Sequence, residues 1–141
     1  MGGWTNLPAG QGRLSYLLDT HTLVWWLLNE NKFSVRARNA IASSTGPIFV
    51  SAVSAFEIAT KVRLGKFEAA REIDADFVGL VRADGFMLLD VHTRHALAAG
   101  RLVLAHRDPF DRLLAAQAMA ENLTLVTRDP AFSSFDVPTL W

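Results

Sequence analysis

Four short runs of apolar residues punctuate the chain: Tyr16-Leu17-Leu18, Ile48-Phe49-Val50, Phe86-Met87-Leu88-Leu89 and Leu123-Thr124-Leu125-Val126. Their apolar residues fall on successive positions, so a strand built from them is buried on both faces. Segments with helical spacing lie between them. The spacing predicts helices over 21–28, 34–42, 53–64, 73–83, 93–99 and 109–121, with Gly65 and Gly100 as stops. Asp108 and Pro109 suit the N-cap and first turn of the last of these. Val137-Pro138-Thr139 reads as a fifth strand, held to an edge by its proline. Buried strands joined by helices form a parallel sheet covered on both sides. The expectation is one α/β domain over residues 15–141, a length that buries its own core. Residues 1–14, rich in Gly and without periodicity, read as a flexible leader or cloning remnant.

Composition removes several classes of function. There are no cysteines, hence no disulfide framework, thiolate metal site or Cys nucleophile. This fits a cytoplasmic protein. The longest apolar run, Leu23 to Leu28, is too short to cross a bilayer, and no signal-peptide pattern opens the chain. Fourteen Lys and Arg balance fourteen Asp and Glu. That excludes a broad basic coat of the kind that binds nucleic acid or membranes nonspecifically.

The placement of the acids says more than their number. Asp19 closes the first strand, Glu57 follows the second, and Asp129 follows the fourth. Asp111 lies one turn into the helix begun by Asp108. In an open parallel sheet, chemistry gathers beyond the carboxyl ends of the strands. Each acid taken singly has a structural explanation. Asp19, Asp108 and Asp129 suit N-caps, Ser54 with Glu57 matches a capping box, and Glu57 with Lys61 forms an i,i+4 pair. Capping does not explain why so many acids fall on one edge of one sheet. Carboxylates held together repel and protonate unless a cation neutralises them. Oxygen ligands suit Mg²⁺ or Mn²⁺.

Four segments carrying these acids resemble the PIN domain, and more narrowly the VapC toxins of bacterial toxin–antitoxin pairs. They are Leu17-Leu18-Asp19-Thr20-His21, the stretch from Val50-Ser51 to Phe56-Glu57-Ile58, Asp108-Pro109-Phe110-Asp111-Arg112 with the helix after it, and Leu125 to Phe132. The resemblance runs from about Tyr16 to Trp141. It implies a three-layer α/β/α fold with a central parallel sheet and a metal-dependent ribonuclease that leaves a 5′-phosphate and a 3′-hydroxyl. By motif, Asp19, Glu57 and Asp111 match the family's acidic triad and Asp129 its fourth acid. Thr127 matches a supporting Ser or Thr. His21 stands where many members carry Asn or Ser. The resemblance further implies an RNA substrate, a homodimer and a VapB-type antitoxin.

The mechanism expected is hydrolysis of an RNA phosphodiester, with one or two Mg²⁺ or Mn²⁺ ions among Asp19, Glu57, Asp111 and Asp129 activating the water. Asp19 is the first choice for a direct ligand. Thr20, Thr127, Arg107, Asp108, Arg112 and Arg128 are further candidates for supporting the site or contacting RNA. The arginines either touch phosphate or pair with the carboxylates. His92 and His95 are expected as surface or helix-end residues, and His106 at the site entrance. Trp25 and Trp26 are expected either to lie under neighbouring helices near Phe33 and Phe56 or to leave one indole exposed for a partner. Three alternatives remain: a phosphatase with Asp19 as nucleophile, a PIN nuclease of RNA processing, and a non-catalytic binding module.

Overall fold

A computed structural model describes residues 14–141, so the expected leader lies outside the described residues save for its last one. Each apolar run forms a strand. Strand β1 (Tyr16–Leu18) leads into helix α1 (Thr20–Leu27). Helix α2 (Val35–Ala42) follows, capped by Ser34, whose side chain accepts the Ala37 N–H at 2.9 Å. Strand β2 (Ile48–Ser51) runs straight into α3 (Ala52–Arg63). The chain leaves α3 through Gly65 at φ 72°, the left-handed turn that its glycine anticipates. Then come α4 (Arg71–Ala75), α5 (Phe77–Ala83), β3 (Met87–Leu89), α6 (Thr93–Arg101) and α7 (Pro109–Glu121). Strands β4 (Thr124–Val126) and β5 (Thr139–Leu140) flank a single 3₁₀ segment at Pro130–Ser134.

Three elements depart from expectation. The helix expected over 73–83 is two helices broken at Asp76, whose φ of −142° and ψ of 51° lie outside the helical region. Ile73, Phe77, Leu80 and Val81 all face the core. Their spacing therefore hides the break. Helix α6 continues through Gly100 and stops after Arg101, where Leu102 turns extended. The fifth strand begins after Pro138, yet occupies the edge as expected.

The five strands are all parallel, in the order β3-β2-β1-β4-β5. Leu18 pairs with Val50 on one side and Val126 on the other. The next residues, Asp19, Ser51 and Thr127, therefore stand at one level at the carboxyl edge, with Ser51 still paired to Leu89. Alternate strand residues feed two cores. Tyr16, Leu18, Ile48, Val50 and Val126 pack with Leu23, Ile41, Ile58 and Val81 on one face. Leu17 and Leu125 pack with Val53, Leu114, Ala118 and Phe132 on the other. This is the expected three-layer α/β/α arrangement. It covers β1, β2 and β4 on both faces, as their apolar sequence requires, whereas Met87 of the edge strand β3 is exposed, contrary to expectation.

Candidate functional site

The level carboxyl ends of β1, β2 and β4 set the floor of a cavity of about 120 Å³. Its lining includes Asp19, Glu57, Asp108, Asp111 and Asp129, with Thr20, His21 and Lys61. The structure thus brings together all four of the acids singled out from the sequence. Leu114 and Phe132 add an apolar wall that the sequence reading missed. Leu114 lies one helical turn beyond Asp111, so its spacing was the available signal.

Asp19 is buried between two partners. Its Oδ1 accepts the Thr22 N–H at 2.8 Å, which caps α1. Its Oδ2 accepts the Thr127 hydroxyl. Burial pushes the Asp19 carboxyl above its ordinary value, against the opposing hydrogen bonds from Thr127 and Thr22. Thr127 Oγ1 also accepts the Asp129 N–H at 3.0 Å. One hydroxyl therefore ties together the acids that follow β1 and β4. Asp129 in turn caps the 3₁₀ segment, accepting the Ala131 N–H at 2.9 Å.

Glu57 projects from α3 and is buried, with Lys61 Nζ 2.6 Å from its Oε2. The capping box expected at Ser54 and Glu57 does not form. Ser51 is the N-cap, accepting the Val53 N–H at 2.9 Å. Because α3 starts directly at the end of β2, Ser54 falls inside it. Its hydroxyl meets that of Thr20 at 2.9 Å instead, tying α1 to α3 beside the site.

Asp108 caps α7, accepting the N–H groups of Phe110 at 2.9 Å and Asp111 at 3.3 Å. Asp111 does not return a capping bond. Its Oδ2 lies 2.9 Å from His106 Nε2, which puts His106 beside the cavity as expected. The Asp111 carboxyl is pushed up to about 6. Burial is the largest cause, the His106 hydrogen bond opposes it, and negative charge at Asp108 and Asp129 adds to it.

The arginines separate into three roles. Arg112 donates to the backbone carbonyls of Ala99 (2.8 Å), Leu102 (2.5 Å) and His106 (2.9 Å). It meets neither a carboxylate nor the cavity, contrary to both expectations for it. The carbonyls of Ala99 and Leu102 lie in and just after the last turn of α6, where no helical N–H can reach them, and that of His106 lies in the loop before α7. Arg107 is exposed and does not line the cavity. Arg128 holds its guanidinium 4.5 Å over the Trp25 ring.

The histidine pair is not a metal site. His92 and His95 stand at the N-cap and third position of α6, the helix-end placement expected, and His95 is fully buried there. Its Nδ1 accepts the His92 N–H at 3.0 Å, so its proton sits on Nε2, 2.8 Å from Glu121. Hydrogen bonds from His95 and Arg94 hold the Glu121 carboxyl below its ordinary value. Both tryptophans are half-buried, Trp25 against His21 and Trp141 and Trp26 against Phe33. Phe56 is elsewhere, exposed and edge-on to Phe110.

Five carboxylates thus face one cavity in which Lys61, already paired with Glu57, is the only lysine or arginine of the lining. Burial raises both the Asp19 and Asp111 carboxyls, and at Asp111 the neighbouring negative charge of Asp108 and Asp129 adds to it. The donor set is oxygen throughout, which fits a hard divalent cation. Among the described residues, no three His, Asp or Glu side chains are grouped closely enough to hold one ion unaided. Mg²⁺ is compatible with that, because it keeps several of its waters and takes one or two carboxylates.

The sequence profile of the PIN domain family matches residues 16–138. No curated protein sequence matches the chain. Among solved structures it is similar to VapBC2 from Rickettsia felis bound to a DNA fragment from their promoter (TM-score 0.63, 21% identity, 90% of this chain and 98% of that one). It is similar to FitAcB from Neisseria gonorrhoeae (TM-score 0.64, 20% identity, 89% and 96%). It is also similar to VapBC-1 from nontypeable Haemophilus influenzae (TM-score 0.61, 18% identity, 90% and 97%). At these identities the likeness is one of fold.

Proposed function

The chain belongs to the PIN domain family, a family of nucleases, and from that premise we propose that it is a divalent-metal-dependent ribonuclease acting as the toxin of a VapBC-type pair. The observation that carries the catalytic part is the cavity at the carboxyl edge of the sheet, with five acids and one lysine that is already paired. Asp19, Glu57, Asp111 and Asp129 are the residues proposed to hold Mg²⁺ or Mn²⁺. When bound, such an ion lowers the pKa of water and neutralises charge on the phosphate undergoing attack.

The chain's own groups prepare that site. The Thr22 N–H and the Thr127 hydroxyl fix both oxygens of Asp19, so it meets a cation without reorganising. Burial pushes the Asp111 carboxyl up to about 6, and a cation held beside it would favour its ionised form. Lys61 holds Glu57 at the rim and adds a positive charge where an incoming phosphate would lie. Thr20, through Ser54, keeps α1 and α3 in register around these acids.

The phosphatase alternative asks for a nucleophilic Asp19 with a lysine beside it. Both Asp19 oxygens accept hydrogen bonds, and the nearby lysine is paired with Glu57. The toxin part of the proposal rests on the family and on the fold likeness to the VapBC and FitAcB structures. It brings with it a VapB-type antitoxin, a homodimer and a cytoplasmic setting. No helix among the described residues is long and apolar enough to cross a membrane.

The test incubates purified protein with candidate RNAs, with Mg²⁺ and with EDTA, beside Asp19→Asn. Cleavage that survives both chelation and the substitution would sink the catalytic proposal. Co-expression with a candidate antitoxin, followed by size-exclusion chromatography, addresses the toxin role. A monomer that ignores its candidate partner would count against it.

A further inference from the structure

A second cavity, of about 320 Å³, opens beside the acidic one and shares Asp19, His21 and Asp129 with it. Its remaining walls are Trp25, Arg128 and Pro130. Arg128 sits between Thr127, which binds Asp19, and Asp129, yet forms no ion pair among the described residues. Its guanidinium lies instead 4.5 Å over the Trp25 ring. That ring is itself braced edge-on by Trp141 at 6.0 Å. Lys32 also approaches Trp25, at 5.2 Å, but is paired with Glu30 at 3.3 Å. Among the described residues, Arg128 is therefore the cation over this ring that has no carboxylate partner, and it stands at the lip of the acidic cavity.

An arginine stacked on an indole is held in place through its face, which leaves its in-plane N–H groups free for an anion. Arginine is the side chain whose donor fork best matches a phosphate. Two acids line the same cavity, so a free anion gains little there. A polyanion with one phosphate at the cation-binding acids and the next at Arg128 satisfies both ends. The cavity has the size of a small-ligand pocket, and the exposed His21 ring and Pro130 offer flat surfaces to an unpaired base.

We propose that Arg128, pinned over Trp25, clamps the phosphate next to the scissile one, and that the cavity seats that nucleotide of single-stranded RNA. This rests on the ribonuclease function proposed above. Arg128 is a binding residue here and takes no part in bond breaking.

The test measures binding of a labelled single-stranded RNA, taken from a cleaved substrate, by fluorescence anisotropy over a salt series with Mg²⁺ present. The proteins are full-length Asp19→Asn, alone and combined with Arg128→Ala or Arg128→Lys. Asn preserves the cap of α1, so Asp19→Asn retains the fold. Arg128→Ala is expected to weaken binding roughly tenfold and to lower the slope of log K against log salt by about 0.7, the loss of one phosphate contact. Arg128→Lys is expected to restore the slope but not the affinity, because a lysine keeps the charge without the stacked plane. In the cleaving protein, Arg128→Ala raises KM and leaves kcat near its original value. Unchanged affinity and slope in Arg128→Ala, with the wild-type protein still cleaving, overturns the clamp and leaves the ribonuclease standing. An equal loss on a duplex of the same sequence overturns the single-stranded seat. Failure of the wild-type protein to cleave RNA, together with failure of Asp19→Asn to bind it, removes the ribonuclease function and the clamp together.

Discussion

Replacing Asp111 by Asn is expected to stabilise the metal-free protein while abolishing its cleavage of RNA. The carboxyl moves from an ordinary 3.8 in the unfolded chain to about 6 in the fold, chiefly through burial. Each unit corresponds to about 1.4 kcal/mol, so the ionised Asp111 costs the folded state at most about 3 kcal/mol. A fifth of the side chain remains exposed, and solvent screens part of the effect. An allowance of about 1–3 kcal/mol is then reasonable. The sign follows from linkage. Below pH 3.8 the group is protonated in both states and costs nothing. As pH rises toward 6 the folded state keeps a proton that the unfolded state has lost, and stability falls. Above about 6 the full penalty is present. Asn carries no charge, keeps an oxygen for His106, and escapes the penalty.

The assay is calorimetry of both proteins in EDTA from pH 4 to pH 8. Their melting temperatures should agree near pH 4 and separate through pH 6, with Asp111→Asn higher by roughly 3–10 °C at pH 8. Adding Mg²⁺ should then raise the wild-type temperature more than that of the variant, because binding to the folded state adds RT ln(1 + [L]/Kd). A variant less stable than wild type at pH 8 in EDTA, or a gap that does not change with pH, refutes the account of the raised carboxyl.

Thr127→Val keeps the shape but removes the hydroxyl shared by Asp19 and the Asp129 N–H. It should cost about 1–3 kcal/mol in urea unfolding and lower cleavage as well. Arg112→Lys should cost a similar 1–3 kcal/mol, because no ammonium spans the carbonyls of Ala99, Leu102 and His106. The Mg²⁺-induced rise in melting temperature should survive Arg112→Lys, since Arg112 does not line the cavity. Lys61→Met removes an i,i+4 pair worth under about 1 kcal/mol, but it frees Glu57 and deletes the cavity's one lysine. Calorimetric titration should find Mn²⁺ binding several-fold tighter in that variant.

The parts of the fold and site that were readable in the sequence are those set by neighbours along the chain. Asp19, Asp108 and Asp129 each cap the helical turn that follows them, and each was recognisable from the two or three residues after it. The unbroken apolar strands required burial on both faces, and the parallel sheet supplies it to the inner strands, while edge position leaves Met87 of β3 exposed. What could not be read depends on where distant segments arrive. Ser54 has the local pattern of a cap, but β2 runs into α3 without a loop, so Ser51 takes the cap and Ser54 turns to Thr20. Arg112 stands among acids in sequence, yet its partners are carbonyls six to thirteen residues upstream, exposed only once α6 has ended. His95 looks like a surface residue until α6 packs on α7 and Glu121 meets it. Placement of the four acids in one cavity needed both kinds of information: local caps to fix Asp19 and Asp129, and strand register to align Asp19 with Thr127.

Capping and cation binding are usually weighed as rival explanations for an acid at a helix start, but here one implies the other. In Asp108 and Asp129 the hydrogen bonds of the cap all fall on Oδ1. Each cap therefore orients its carboxylate while leaving Oδ2 without a hydrogen-bond partner among the described residues. The partial positive charge of each helix start offsets part of the repulsion among these acids. The chain can fold with the acids gathered before any cation arrives. Asp111 lies outside this arrangement. Its Oδ2 goes to His106 and its carboxyl is the one lifted to about 6. Negative charge at Asp108 and Asp129 adds to the burial that raises Asp111, so the cost of clustering is felt at an acid that does not cap. Asp111→Asn should accordingly stabilise the metal-free protein more than Asp108→Asn or Asp129→Asn does. In both of those the amide oxygen keeps the cap, and only a charge already offset by its helix is removed.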